Sequence, residues 1–156
     1  MGGGQQQLQQ LSQELQAIDQ EIESLESEIE ALNTEKQEID EAIEAIETLE
    51  TGSTVQVPLG GDAYLRAEVQ DIDEIIVSLG ANYAAEQDQS DAVESLRRKQ
   101  DLLDENIATL RGEIEDLEEE SDEIEQQAME AQQQMQQQQM QQMQQQMQGE
   151  GEDDDE

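Results

Sequence analysis

Residues 8–46 read LQQLSQELQAIDQEIESLESEIEALNTEKQEIDEAIEAI, and their apolar side chains follow a heptad pattern. Leucine or isoleucine recurs at alternating spacings of three and four residues at 11 of 12 positions, and Lys36 occupies the remaining one. Almost every residue between these positions is polar, so the apolar surface is a narrow stripe that a single partner helix can cover. This pattern predicts a long helix within a coiled coil.

A second stripe of the same kind lies further along the chain. Apolar residues occupy 11 of 13 heptad positions between Val93 and Met135, and Gln100 and Ser121 occupy the other two. Two stripes of nearly equal length fit two helices of one chain that pack antiparallel. Polar residues at heptad core positions often fix the register, which is a role open to Lys36, Gln100 and Ser121.

Residues 52–90, between the two stripes, change from a period of 3.5 to a period of two. Each of two alternating strand pairs surrounds a turn rich in glycine or asparagine, which is typical of β-hairpins. The strand, turn and strand segments are 55–59, 60–62 and 63–69, then 74–79, 80–82 and 83–87. Asp88 or Ser90 is then the expected N-cap of the second helix.

The predicted fold is mainly α with a small β part: a long antiparallel two-helix coiled coil joined by two β-hairpins. Two hairpins alone do not make a stable sheet, so we expect their edges to pair with other chains; a self-contained β cap is the alternative. The tail is rich in Gln and Met, which favour helix and allow the second helix to extend past the seam, but its low-complexity composition predicts fraying or disorder. The expected segments are a coiled-coil helix (1–51), the hairpins as an oligomerisation platform (52–90), a second coiled-coil helix (91–135) and the tail (136–156).

The composition excludes most catalytic chemistry. The chain of 156 residues contains no His, Cys, Phe or Trp. Without His or Cys it has no Ser-His-Asp or Cys-His triad and no imidazole or thiolate zinc site. It also lacks a glycine-rich phosphate loop followed by lysine, which argues against the use of ATP. We therefore expect no catalytic residue, cofactor or metal, and the chain is not predicted to be an enzyme.

The charge of the chain restricts its partners and its surroundings. Asp and Glu total 42 against 6 Lys and Arg, for a net charge of -36, which argues against binding nucleic acid. Self-repulsion of this size is screened at molar ionic strength, where the Debye length is about 3 Å, so the composition favours a halophile. No signal peptide or membrane span is predicted, and we expect a cytoplasmic location without membrane contact.

Methionine is concentrated near the second stripe's far end. Five of the six Met residues lie between Met129 and Met147. Met-rich surfaces bind apolar partners of varied shape, and several such surfaces on one platform would gain affinity from multivalency. A heptad seam that tapers into a frayed polar tail is the plainer alternative.

Two short segments of the hairpins resemble the prefoldin (GimC) family, alpha subunits of the archaeal type. Val57-Pro58-Leu59-Gly60 is similar to the signature of the family's first hairpin, and IVSLGA at 76–81, followed by Glu86, is similar to that of its second. The resemblance implies a heterohexamer of two alpha and four beta subunits built on a double β-barrel. It also implies ATP-independent capture of unfolded proteins at the coil tips and their delivery to a group II chaperonin. The alternative is a structural coiled-coil spacer or scaffold with a β oligomerisation cap.

The resemblance places candidate residues at two sites. The implied capture residues at the coil tips are Leu8, Leu11, Leu15, Met129, Met135 and Met140. The implied platform residues are Val55, Val57, Leu59, Leu65, Val69, Ile75, Val77, Leu79 and Tyr83.

Overall fold

The computed structural model describes residues 2–152 as two long helices and four short strands. In chain order the elements are α1 (Gly2–Thr48), β1 (Thr54–Gly60), β2 (Ala63–Glu68), β3 (Ile75–Gly80), β4 (Tyr83–Gln87) and α2 (Gln89–Glu152). The predicted fold class, two long helices joined by two antiparallel β-hairpins, is confirmed. The described chain divides into two compact units, residues 2–27 with 110–152 and residues 28–109.

In the first unit the heptad stripes of the two helices pack against each other. Leu11 and Ile18 of α1 form a buried cluster with Ile124 of α2. A Cβ placed on Gly4 would lie 3.0 Å from the Sδ atom of Met135, so the start of α1 meets a later part of α2 and the helices run antiparallel. The residues that complete the cluster are Leu15, Ile22, Leu117 and Ala128.

The second unit repeats this packing closer to the hairpins in sequence. Ile39 and Ile43 of α1 are buried with Val93 of α2. The residues packed around them are Ile46, Leu96 and Leu103. Each cluster is narrow, as expected for a seam that only one partner helix covers.

Helix α2 starts at a well-defined cap. The Oδ1 atom of Asp88 accepts a hydrogen bond from the Asp91 amide at 2.7 Å, so the structure has Asp88 rather than Ser90 as the N-cap.

The helix then continues to Glu152, whereas the sequence predicts fraying or disorder from residue 136. Gln and Met both favour helix, so α2 does not need the seam in order to continue. Residues 153–156 of the predicted tail lie outside the described residues, and the division of the chain into four segments stays a prediction.

The two hairpins are built alike. Val57 pairs with Leu65 in the first and Val77 with Ala85 in the second, and each ladder shifts register one residue before its turn. The two central turn residues have positive φ in both hairpins, as in a type I′ turn. These residues are Gly61 (φ 58°) and Asp62 (62°), then Ala81 (49°) and Asn82 (61°). Each hairpin forms its own two-stranded sheet in the described chain.

Hydrogen bonds connect the hairpins to the helix ends within the second unit. The side-chain amide of Gln89 donates to the carbonyl of Ile46 at 2.5 Å and so joins the start of α2 to the end of α1. The hydroxyl of Ser95 donates to the Oε1 atom of Gln87 at 2.8 Å, which links β4 to α2. These contacts place β4 beside the first turns of α2, and most residues of the four strands are exposed.

Candidate binding surfaces

Four of the six predicted capture residues lie in the seam of the first unit. Leu11 is buried there, and Leu15 packs against the same cluster. Leu8 is half-buried, and Met135 is half-buried beside Gly4. Their apolar surface is therefore partly or fully covered by the packing of the chain's own two helices.

The other two predicted capture residues face solvent and have exposed neighbours. Met129 and Met140 are 64% and 70% exposed, and Met143 and Met147 are 68% and 78% exposed. At about 100° per residue, these four positions lie about 90° to 150° around α2 from the mean direction of the seam positions 124, 128, 131 and 135. We call these four residues the Met stripe. The prediction of capture residues omitted Met143 and Met147, although their spacing from Met140, offset from the heptad, was visible in the sequence.

The surroundings of the Met stripe are almost without charge. Residues 2–13 contain no charged residue, and residues 126–149 contain only Glu130. By contrast, 18 of the 37 residues from 89 to 125 in the same helix are charged. The region formed by residues 2–13 and 126–149, which we call the coil tip, is thus a neutral Gln and Met surface in a strongly acidic chain.

The polar residues in the seam of the second unit form one connected layer. The ammonium group of Lys36 pairs with the carboxylate of Asp104 on the facing helix. The side-chain amide of Gln100 donates to the carbonyl of Lys36 at 3.2 Å and to Asp40 Oδ1 at 2.5 Å. Because these partners meet in this alignment of the helices, we expect the layer to favour the observed register.

The first hairpin presents apolar side chains to solvent on one face. Val57 and Leu65, cross-strand partners, are 40% and 54% exposed. Leu59, which the register shift leaves unpaired, is 65% exposed, while Val55 and Val69 are half-buried. These predicted platform residues form a small unpartnered apolar face.

The second hairpin has one covered face and one open face. Val77 is only 4% exposed and Ile75 is half-buried, but Ile76, which points to the opposite face, is 75% exposed. Leu79 and Tyr83 near the turn are also exposed. The prediction omitted Ile76, although three consecutive apolar residues in a strand indicate burial on both faces.

Neither a metal centre nor a membrane span occurs in the part of the chain that the structure describes. No group of three or more His, Cys, Asp or Glu side chains among those residues is arranged to hold a metal ion. The helices over the same range are too polar for any of them to cross a membrane.

Comparison with known proteins identifies the family. The model of the family described as "Prefoldin subunit" matches residues 18–134, more than half of the chain. The prefoldin subunit alpha of Halorubrum lacusprofundi is 76% identical over 69% of this chain and 70% of its own length. That of Halobacterium salinarum is 72% identical over 74% of this chain and 71% of its own length.

A solved structure was also found. It is a cryo-electron microscopy structure of filamentous PFD from Methanocaldococcus jannaschii, 28% identical, with a TM-score of 0.49 over 68% of this chain and 96% of that chain. The assignment rests on the family model and on the alpha subunits of the two halophilic archaea. The chain therefore belongs to the prefoldin family, in its alpha class.

Proposed function

We propose that this chain is the alpha subunit of an ATP-independent chaperone that captures unfolded proteins, prevents their aggregation and delivers them to a group II chaperonin. Prefoldin subunits are chaperones rather than enzymes, so family membership confirms the expectation that the chain is not an enzyme. The observation that carries the proposal is the neutral coil tip with its exposed Met stripe.

The proposal includes assembly with other prefoldin subunits in the cytoplasm. We infer a hexamer of two alpha and four beta subunits, to which this chain contributes its hairpins. The exposed faces around Val57 and Leu65 support this part of the proposal, because an isolated two-stranded sheet is marginally stable and gains from pairing with further strands. The apolar surface of Ile76 on the second hairpin offers a further contact.

Capture at the coil tip fits the properties of the exposed side chains. Methionine adapts its shape to different apolar partners, and glutamine amides both donate and accept hydrogen bonds. Several tips on one assembly would bind an extended chain at several points, so weak individual contacts would add up. Neither these side-chain contacts nor multivalent binding requires nucleotide hydrolysis.

The test is aggregation suppression by a complex whose tips have been removed. The chain is co-expressed with its partner subunits, purified at molar KCl, and compared with a variant that lacks residues 1–12 and 129–156. We expect the native mass to show two copies of this chain with four of a second subunit, with and without the tips. We expect the truncated complex to lose suppression of the aggregation of a denatured client protein.

A second truncation serves as the matched control. Removal of residues 150–156 alone leaves the Met stripe intact and should keep suppression at the full level. Suppression that survives loss of the tips would contradict capture there. A homo-oligomer without a second subunit would instead favour the structural spacer, a role that the burial of Leu11 in the seam also permits.

A further inference from the structure

The Met stripe is not part of the coiled coil that the chain forms with itself. Its four side chains point away from the seam, whereas Leu11, Leu15 and Met135 point into it. Apolar side chains on the outer face of a helix contribute nothing to the packing of that helix on its partner. The stripe is therefore available to a ligand while the coiled coil remains intact.

The lack of charge around the stripe is specific to this part of helix α2. In the 24 residues from 126 to 149 glutamine takes the place of the acidic residues that dominate residues 113–125, and the acidic residues resume at Glu150. Gln and Glu have almost the same helix propensity, so formation of the helix does not require this change. Solubility does not require it either, because added acidic residues favour solubility.

Carboxylates at this surface would weaken the binding of an acidic ligand even at the high salt concentration of a halophile. At molar ionic strength the Debye length is about 3 Å, so distant charges are screened. A carboxylate in direct contact with a bound chain still loses its hydration, and a carboxylate of the ligand brought against it adds repulsion that salt cannot screen at contact distance. A ligand rich in basic residues would gain from the acidic surface found elsewhere on α2, whereas an acidic ligand requires its removal.

We propose that the Met stripe, with the glutamines around it, binds unfolded segments of acidic polypeptides, through methionine contacts with their apolar residues and amide hydrogen bonds with their backbone. A chaperone acts on chains made in its own cell, and the net charge of -36 on this chain shows how acidic such chains can be. This inference rests on the proposed capture function and defines its ligand class and contact surface. It also assigns Met143 and Met147 to that surface.

The test uses the purified hexamer at molar KCl and two synthetic unfolded peptides. The peptides share the same apolar residues, and one carries only Glu and the other only Lys as its charged residues. Gln133, Gln136 and Gln144 are exposed on the same side of α2 as the Met stripe, and all three are changed to Glu or all three to Lys. The control changes the exposed residues Gln16, Gln20 and Gln37 of α1 to Glu, which adds the same charge elsewhere.

We expect the dissociation constant of the Glu peptide to rise about tenfold in the Glu variant, to be lower in the Lys variant than in the Glu variant, and to change by no more than about twofold in the control. Changing all four stripe residues to Gln should weaken the binding of both peptides. Equal binding of the Glu peptide by the wild type and the Glu variant would overturn the proposal. So would Met-to-Gln changes that alter the native mass of the complex without altering peptide binding, because the stripe would then bind another copy of the chain.

The outcomes that overturn this ligand class and contact surface differ from those that overturn the capture function itself. If the wild-type hexamer binds neither peptide and does not suppress aggregation, capture itself is wrong. If the wild type binds both peptides and every stripe variant binds them equally well, capture stands and its surface lies elsewhere.

Discussion

Lys36, the one residue of the α1 stripe that is not Leu or Ile, forms an ion pair with Asp104 of α2. Their side chains are 31% and 54% exposed, so the pair is partly solvated and contributes about 0–1 kcal/mol. We expect Lys36→Leu to raise the free energy of unfolding by about 1 kcal/mol, because the leucine adds apolar contact to the seam. Urea unfolding of the purified complex measures the change.

The matched variant Asp104→Asn removes only the charge of the partner. It should lower the free energy of unfolding by less than about 1 kcal/mol. A loss of stability in Lys36→Leu would contradict this expectation and show that the polar layer stabilises the coiled coil more than an apolar residue would.

Gly112 lies in the interior of α2 without a steric reason to be glycine. A Cβ at this position would have nothing within 4 Å. We expect Gly112→Ala to raise the free energy of unfolding by about 1 kcal/mol, because alanine loses less backbone entropy in a helix. The control is Gly149→Ala, three residues before the end of α2 at Glu152, where the effect on thermal unfolding should be close to zero. A destabilised Gly112→Ala variant would indicate that another subunit approaches the helix closely there.

The heptad pattern was sufficient to predict the two helices and their antiparallel pairing, and the change to a period of two predicted the strands, which begin at Thr54. Each of these depends on local periodicity, and the contacts of Ile18 with Ile124 and of Ile43 with Val93 follow from it. The proposed capture residues were harder to choose from the sequence, because a heptad leucine such as Leu11 has the same local signal whether it packs within the coil or binds a ligand. The outward methionines were distinguishable only by measuring their angular offset from the seam along the helix.

The repeated turn of the two hairpins allows a test of backbone strain. Ala81 has a φ of 49° where the first hairpin has Gly61 at 58°. A left-handed conformation costs a residue with a Cβ about 1–2 kcal/mol, whereas glycine adopts it without this penalty. We expect Ala81→Gly to stabilise the second unit by up to about 1 kcal/mol and Gly61→Ala to destabilise it by about the same amount. Thermal unfolding of the two variants should therefore shift in opposite directions, and a shift in the same direction would contradict this account of the turns.

The apolar face of the first hairpin should be required for assembly. Changing Val57 and Leu65 together to Ser removes the apolar pair from the exposed face while the strand register is retained. We expect the native mass of the purified material to fall below that of the hexamer, because association loses the burial of this face. The control changes the neighbouring cross-strand pair, Gln56 and Arg66, to Ser on the opposite face and should leave assembly unchanged. Full assembly of the Val57 and Leu65 variant would exclude this face as an interface.

Assembly and helicity should increase from dilute buffer to molar KCl. The chain carries 42 acidic residues against 6 basic ones, and only three ion pairs offset them in the described structure. Screening reduces the Debye length from about 30 Å at 0.01 M to about 3 Å at 1 M, which weakens the repulsion that opposes the compact state. Circular dichroism and native mass across a KCl series measure the effect.

Sucrose at matched osmolality is the control, because it favours compact states by exclusion from the protein surface but does not screen charge. Equal recovery in sucrose and in KCl would show that screening is not the cause, and full assembly in dilute buffer would contradict the inference that the acidic composition is an adaptation to salt.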